Sequence, residues 1–184
     1  ANNLIGDLTI KNNSFVSKNG TDQGIFVSFE GGFTGKVVFK DNEVVAEGGS
    51  GEIARFTMPD TSNLFISVNT FTAVASTKEV RVIGGMKAVS SDNRFESMEL
   101  DIRTGDYDLQ IMRNVFTSTT SDVRRSLYLD SGTTGVGTIF IAGNVWEDMI
   151  GSAIYLRNAD TVTLQGNSFG NITANSFSGS LQSN

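Results

Sequence analysis

The fold of this chain is decided by the stretch Leu109-Gln110-Ile111-Met112-Arg113-Asn114-Val115-Phe116. An apolar pair with one residue between its members is followed, after two residues, by Asn, and a bulky apolar residue comes two positions later. The same signature occurs seven times, once in degraded form. Its residues are Leu8, Ile10, Asn13, Phe15; Val37, Phe39, Asn42, Val44; Leu64, Ile66, Asn69, Phe71; Ala88, Ser90, Asn93, Phe95; Leu109, Ile111, Asn114, Phe116; Ile139, Ile141, Asn144, Trp146; and Val162, Leu164, Asn167, Phe169. Recurrence every 21 to 30 residues indicates a repeat architecture, in which each unit buries its apolar face against its neighbours.

A second alternating apolar pair precedes most of the signatures. These pairs are Ile25 and Val27, Phe56 and Met58, Val80 and Val82, Leu100 and Ile102, Leu127 and Leu129, and Ile154 and Leu156. Alternation with period two is typical of strands whose side chains point inward and outward by turns. Stacked units of this kind predict an all-β fold, a single-stranded right-handed parallel β-helix of about seven coils. We expect the asparagines to form a ladder at one corner, where Asn tolerates a left-handed turn, and the bulky residues to form an internal aromatic stack.

The stretch Gly151-Ser152-Ala153-Ile154-Tyr155-Leu156 and the signature ending at Phe169 resemble the parallel β-helix repeats of the right-handed pectate-lyase-like superfamily. The resemblance covers nearly the whole chain and implies the fold. Its members include polysaccharide lyases and hydrolases, phage tailspikes, epimerases and adhesin-like passenger domains, so the motif does not select a function. We predict a β-helix over residues 1–170 and a polar C-terminal cap or tail over 171–184.

Composition excludes several classes of function. The chain has 184 residues, no Cys, no His and a net charge of −6. It therefore has no thiolate or imidazole for nucleophilic catalysis or for a typical zinc site. The acidic charge disfavours nucleic acid as a partner, and the sequence has no apolar run that would predict a membrane span.

Outward positions of the upstream strands predict a candidate ligand-binding face. One column runs through Thr57, Arg81, Asp101, Tyr128 and Tyr155, and the next includes Arg103, Asp130 and Arg157. Tyr rings stack on sugars, while Arg and Asp bond hydroxyl and uronate groups, so we expect polysaccharide or cell-surface glycan as the ligand. The residues assigned to binding are Arg81, Asp101, Arg103, Tyr128, Asp130, Tyr155 and Arg157. The alternative is a solvated sheet face held by ion pairs across the strands.

An enzymatic alternative stays open. Glycoside hydrolysis needs two carboxyl groups roughly 5 to 9 Å apart, which Asp101 and Asp130 on adjacent coils could supply, with Arg103 beside them. The family resemblance implies a second route, because its lyases use Ca²⁺ held by clustered carboxylates with Arg or Lys as the base. Asp101, Asp106 and Asp108 could form such a cluster. The expectation is nevertheless that the chain is not an enzyme and needs no cofactor, since its loops are short and no spaced acid–base motif stands out.

The other sheet is expected to carry an apolar outward column, made of Val38, Phe65, Val89 and Phe140. Four such side chains in one column should not remain in water, so we expect a loop, a second subunit or the rest of a longer polypeptide to cover them. Self-association or membership of a larger assembly follows as a prediction. Together these features predict a structural or binding module on an extracellular, cell or virion surface. A purely structural assembly subunit is the remaining alternative.

Overall fold

A computed structural model of the chain describes residues 4–18, 24–29, 32–48, 51–74, 78–103, 108–118, 125–130, 137–159, 161–172 and 177–181. All regular structure in these residues is β. The strands, in chain order, are β1 (Leu4–Ile5), β2 (Leu8–Lys11), β3 (Ser14–Ser17), β4 (Ile25–Ser28), β5 (Phe33–Lys40), β6 (Glu43–Ala46), β7 (Gly51–Met58), β8 (Ser62–Ser67), β9 (Thr70–Ala73), β10 (Lys78–Gly84), β11 (Lys87–Ser91), β12 (Arg94–Glu96), β13 (Met98–Arg103), β14 (Asp108–Met112), β15 (Val115–Thr117), β16 (Arg125–Asp130), β17 (Thr138–Ala142), β18 (Val145–Glu147), β19 (Ser152–Ala159), β20 (Thr161–Gln165), β21 (Ser168–Gly170) and β22 (Phe177–Leu181).

The strands form three parallel sheets that run along a solenoid. Sheet 1 contains β2, β5, β8, β11, β14, β17 and β20, and β1 also pairs with β5. Sheet 2 contains β3, β6, β9, β12, β15, β18 and β21, and sheet 3 contains β4, β7, β10, β13, β16, β19 and β22. Each strand pairs with its equivalent one repeat later, so equivalent side chains lie above one another. This confirms the all-β parallel solenoid. No helix long and apolar enough to cross a membrane occurs among the described residues.

The asparagines form the predicted ladder at the corner between sheets 1 and 2. The backbone N–H of each donates to the side-chain Oδ1 of the next, over 2.8–3.0 Å, from Asn13 through to Asn167. The side-chain Nδ2 of each donates to the same acceptor over 3.0–3.1 Å. A buried corner has no water to satisfy these groups, so the ladder supplies the partners that buried polar groups need.

The left-handed turn residue is not the asparagine, as the sequence suggested, but the residue before it. The turn residues and their φ angles are Asn12 (58°), Asp41 (55°), Val68 (56°), Asp92 (58°), Arg113 (54°), Gly143 (64°) and Gly166 (61°). The asparagine is needed for its side-chain amide, while its neighbour bends the chain. Val68 is the unfavourable member, because a β-branched residue rarely adopts positive φ.

The predicted aromatic stack fills the interior. Phe71, Phe95, Phe116, Trp146 and Phe169 follow one another with ring centroids 4.9–5.1 Å apart and interplanar angles of 3–8°. The stack is interrupted at Val44, where Phe39 of sheet 1 lies 6.1 Å from both Phe15 and Phe71. An aromatic ring from a neighbouring sheet thus fills the space that the smaller side chain leaves.

The expected count of about seven coils is wrong, and about five coils form the closed solenoid. Asn42, Asn69, Asn93, Asn114 and Asn144 are buried, whereas Asn13 is exposed and Asn167 half-buried. The inward residues of the last repeat, Leu164 and Phe169, are 48% and 41% exposed. The signatures at the two ends pair on one side only. They extend the sheets without being enclosed by a coil on each side.

Candidate functional site

The outward positions of sheet 3 form the columns that alternation predicted, with one correction. Arg81 pairs with Asp101, Asp101 with Tyr128, and Tyr128 with Tyr155. The residue before Arg81 in this column is Arg55, while Thr57 pairs with Ile83. The reason is that Ala54 and Phe56, and not Phe56 and Met58, are the inward pair opposite Val80 and Val82. The neighbouring column contains Arg103, Asp130 and Arg157, as expected.

Asp101 and Arg81 lie at the centre of an ion network on this face. The Asp101 carboxylate is completely buried and accepts from Arg81 Nε over 3.1 Å. Arg103 reaches it from the other side, with Nη2 2.8 Å from Oδ2. Arg81 also contacts two further carboxylates, those of Glu79 and Glu52. Hydrogen bonding to Asp101 raises the pKa of Arg103, so this guanidinium stays charged.

A third outward column, two positions before Arg81 and Asp101 and three before Arg55, supplies acidic residues that the sequence reasoning missed. It contains Glu52, Glu79 and Glu99, which pair in register. Arg125 donates to Glu99 Oε1 over 3.0 Å. Burial raises the pKa of the Glu99 carboxyl to about 7, against the opposing effect of the Arg125 hydrogen bond, and burial also raises the pKa of Glu79. The period of two that located Arg81 and Asp101 would also have located Glu79 and Glu99.

The two tyrosines stack as a pair, but only one of them faces outward enough to meet a ligand. Their ring centroids are 5.3 Å apart with an interplanar angle of 21°. Tyr128 is only 6% exposed, because the guanidinium carbons of Arg125 and Arg103 lie 3.9 and 5.4 Å from its ring centroid. Tyr155 is half-buried. Of the two tyrosines assigned to ligand binding, Tyr128 is therefore covered, whereas Tyr155 keeps part of its surface in solvent.

Asp130 and Arg157 lie at the edge of the tyrosine pair. The Tyr128 hydroxyl lies 3.1 Å from Asp130 Oδ2, and Arg157 Nη1 lies 3.7 Å from the same carboxylate oxygen. Burial raises the pKa of the Tyr128 hydroxyl, so this group stays a neutral donor over the physiological range. The arrangement holds Arg157 beside the tyrosines without burying it.

The network contains equal numbers of acidic and basic groups, but the most exposed groups are basic. Five carboxylates and five guanidinium groups take part: Glu52, Glu79, Glu99, Asp101 and Asp130 with Arg55, Arg81, Arg103, Arg125 and Arg157. The side chains of Arg157 and Arg103 are 57% and 44% exposed, against 0% for Asp101, 7% for Glu99 and 17% for Asp130. Solvent therefore meets the positive groups, although the chain as a whole is acidic.

The geometry does not favour the carboxylate-pair alternative. Asp101 pairs with Tyr128 and Asp130 pairs with Arg103, so the two carboxylates are displaced from each other along the sheet. The Asp101 oxygens are occupied by Arg81 and Arg103, and the side chain has no exposed surface. A general acid or nucleophile must reach the scissile bond, and Asp101 cannot do so in this arrangement.

The residues present also do not fit a calcium ion. Asp108 lies at the start of β14 in sheet 1, while Asp101 lies in sheet 3, and Asp106 falls outside the described residues. The carboxylates that do converge are those of Glu79, Glu99 and Asp101, whose oxygens lie within 4.8 Å of one another. Guanidinium groups bond all three. Ca²⁺ needs six to eight oxygen ligands, so it would have to displace these arginines.

The predicted interface residues form a single column on the outer face of sheet 1. Val38 pairs with Phe65 and Phe65 with Val89, and then Gln110 intervenes before Phe140. All four apolar residues are half-buried. The segment expected to be a polar cap contributes β22, which pairs with β19, while residues 173–176 and 182–184 lie outside the described residues.

Comparisons with known proteins do not indicate a function, so this geometry is the basis on which a function is proposed. No family model, curated protein or solved structure matches the chain.

Proposed function

We propose that this chain is a non-enzymatic binding module that holds polysaccharide against the outer face of sheet 3. Its setting is the exterior of a cell or a virion, where such polymers are met. The family that fits this role is the right-handed pectate-lyase-like β-helix superfamily, on the strength of the coil repeat alone. The proposal concerns a rigid surface, not a catalytic cleft.

The observation that carries the proposal is the arrangement of charged groups around Tyr155, with an exposed arginine at the surface and carboxylates beneath it. A half-buried aromatic ring lies beside Arg157, which is 57% exposed, and the carboxylates of the network lie beneath. Sugar C–H faces pack on aromatic rings, and guanidinium groups bond carboxylate or sulfate in a bidentate manner. The ligand that suits this face is therefore an acidic polysaccharide.

Binding of acidic and neutral polysaccharides tests the proposal. Polyuronate and dextran sulfate should bind in calorimetry at low salt, and neutral dextran should not. Arg157→Ala should weaken polyuronate binding about tenfold, because a charge-assisted hydrogen bond contributes about 1.5–3 kcal/mol. Tyr155→Ala should weaken it by a similar factor.

Arg113→Ala is the matched control. Arg113 is 59% exposed and pairs with Asp92 at a turn residue outside sheet 3, so its removal changes the net charge equally. If Arg113→Ala weakens binding as much as Arg157→Ala, the attraction is nonspecific. Absence of binding to any acidic polymer would refute the proposed function.

A purely structural role is the second candidate, favoured by a different observation. Every carboxylate in the network already has a guanidinium partner within the chain, and ion pairs between parallel strands hold adjacent coils in register. Under this hypothesis Arg157→Ala changes no glycan binding. Removal of the central Arg81 lowers stability in either case, so binding measurements separate the two roles.

A further inference from the structure

The outer face of sheet 1 has an apolar stripe with a charged column beside it. The stripe is Val38, Phe65, Val89 and Phe140, and it is interrupted by Gln110. The charged column, two positions earlier on each strand, reads Lys36, Asn63, Lys87, Asp108 and Thr138. The opposite flank reads Lys40, Ser67, Ser91, Met112 and Ala142. Two copies of a regular surface of this kind are complementary only when their strands are aligned in particular registers.

We propose that two copies of this chain pack sheet 1 against sheet 1, with their solenoid axes antiparallel and the twofold axis between β11 and β14. A twofold interface presents the same patch from both partners, so the patch must complement itself. In this register the coils of the second copy run in the opposite order, and each column of residues faces the same column of the second copy.

This register brings together one aromatic pair and one pair of opposite charges, and it places Val38 opposite Thr163 of the second copy. Phe65 faces Phe140 of the second copy, and Val89 faces Gln110 of the second copy. Lys87 faces Asp108 of the second copy. By symmetry each of these contacts occurs twice. Lys36 and Lys40 face the neutral Thr161 and Gln165 of the terminal strand of sheet 1, so no like charges meet.

Other twofold arrangements of the same face bring like charges together, even where, as with parallel solenoids, each residue of the apolar stripe meets its own copy. With parallel solenoids each coil faces the same coil and the flanks exchange, so Lys36 meets Lys40 of the second copy. With the axis moved onto β11, Lys87 meets its own copy. Like charges that face each other are destabilising, and neither arrangement gains the Lys87–Asp108 pair.

The size of the face sets the strength of the dimer. Six strands of each sheet overlap in this register, and at ~4.8 Å per strand and ~3.3 Å for each of five residues they give a face of about 480 Å² per copy. Two copies therefore bury about 950 Å², in the size range of weak, transient complexes. We expect a reversible dimer with a dissociation constant in the micromolar range.

Sedimentation velocity over a concentration series, with charge-reversal variants, tests the proposal. Lys87→Glu and Asp108→Lys each replace two ion pairs by two like-charge contacts, so each should raise the dissociation constant about tenfold. The double variant Lys87→Glu with Asp108→Lys should restore dimerisation, because opposite charges again face each other. Circular dichroism confirms that each variant folds.

Cross-linking separates the antiparallel register from the others. The natural chain has no Cys, so Phe65→Cys and Phe140→Cys each introduce one thiol. A short dithiol-reactive cross-linker should join the two variants when they are mixed, and should not join Phe65→Cys to itself. Self-linking of Phe65→Cys, failure of the double charge variant to rescue, or a monomer up to millimolar concentration would each overturn the proposal.

Discussion

Replacement of Asn114 by Ala should test whether the asparagine ladder determines stability. Asn114 is fully buried, and its Oδ1 accepts two hydrogen bonds from Asn93, one from the backbone N–H over 3.0 Å and one from the Asn93 Nδ2 over 3.0 Å. Its Nδ2 donates to the Ser90 carbonyl over 2.9 Å and to Asn144 Oδ1 over 3.0 Å. The alanine variant removes these four bonds and the one that the Ser90 hydroxyl donates to Oδ1 over 3.3 Å, and it leaves the Asn93 backbone N–H buried without its acceptor.

The magnitude follows from these losses. A buried donor without a partner costs about 1–3 kcal/mol, and each other lost hydrogen bond costs about 1 kcal/mol. Partial relaxation of the neighbouring side chains reduces the sum, so we expect the free energy of unfolding to fall by about 3–5 kcal/mol. Asn13→Ala is the matched control. Asn13 is exposed, so water replaces its lost partners and the cost should stay below about 1 kcal/mol.

Urea unfolding followed by tryptophan fluorescence measures both variants. The chain has a single Trp, Trp146, which is fully buried and stacks on Phe116 with ring centroids 5.1 Å apart. Its emission therefore reports the opening of the coils next to Asn114. If Asn114→Ala costs no more than Asn13→Ala, the ladder bonds contribute little and the reasoning is wrong.

Two further predictions concern pH and backbone strain. Because burial raises the pKa of Glu99 to about 7 from 4.5, the folded state binds more protons, and its stability should fall by roughly 2–3 kcal/mol as pH rises from about 4.5 to 7. Glu99→Gln should reduce this slope in urea titrations at several pH values, with the remainder due to Glu79, and an unchanged slope would contradict the assignment. Val68→Gly should raise the free energy of unfolding by about 1 kcal/mol, since Val68 has φ 56° and is 49% exposed. A loss of stability in thermal unfolding would show that Val68 is not strained.

The interior of this fold could be predicted because it repeats. Asn and aromatic residues at fixed offsets predict a geometry in which equivalent residues stack along the solenoid. Asn69 to Asn144 occupy the predicted ladder. Even the degraded signature is accommodated, because the buried Ser90 hydroxyl lies 3.3 Å from Asn114 Oδ1 within the ladder. The count of closed coils was overestimated because the end signatures have the same sequence pattern as the inner ones but lack a neighbour on one side.

The outer face was harder to predict. Alternation gave the correct outward residues, but the small Ala54 is the inward residue opposite Val80, so Arg55 lies where Thr57 was expected. Burial of Tyr128 depends on Arg125, which belongs to the inward set of β16 by alternation yet turns over the ring at its strand end. Such folding of long side chains over neighbours is set by tertiary contacts and leaves no periodic signal.

Because each strand pairs in parallel with its equivalent one repeat later, the coils are structurally equivalent units. A coil of the solenoid contacts the coil before it and the coil after it, so its length and loops are free to vary while its corner and its stacked ring are kept. The spacing between successive asparagines, 21 residues from Asn93 to Asn114 and 30 from Asn114 to Asn144, records that freedom. Protein engineers could shorten or extend such a rod by whole turns and so set the distance between whatever is attached at its two ends.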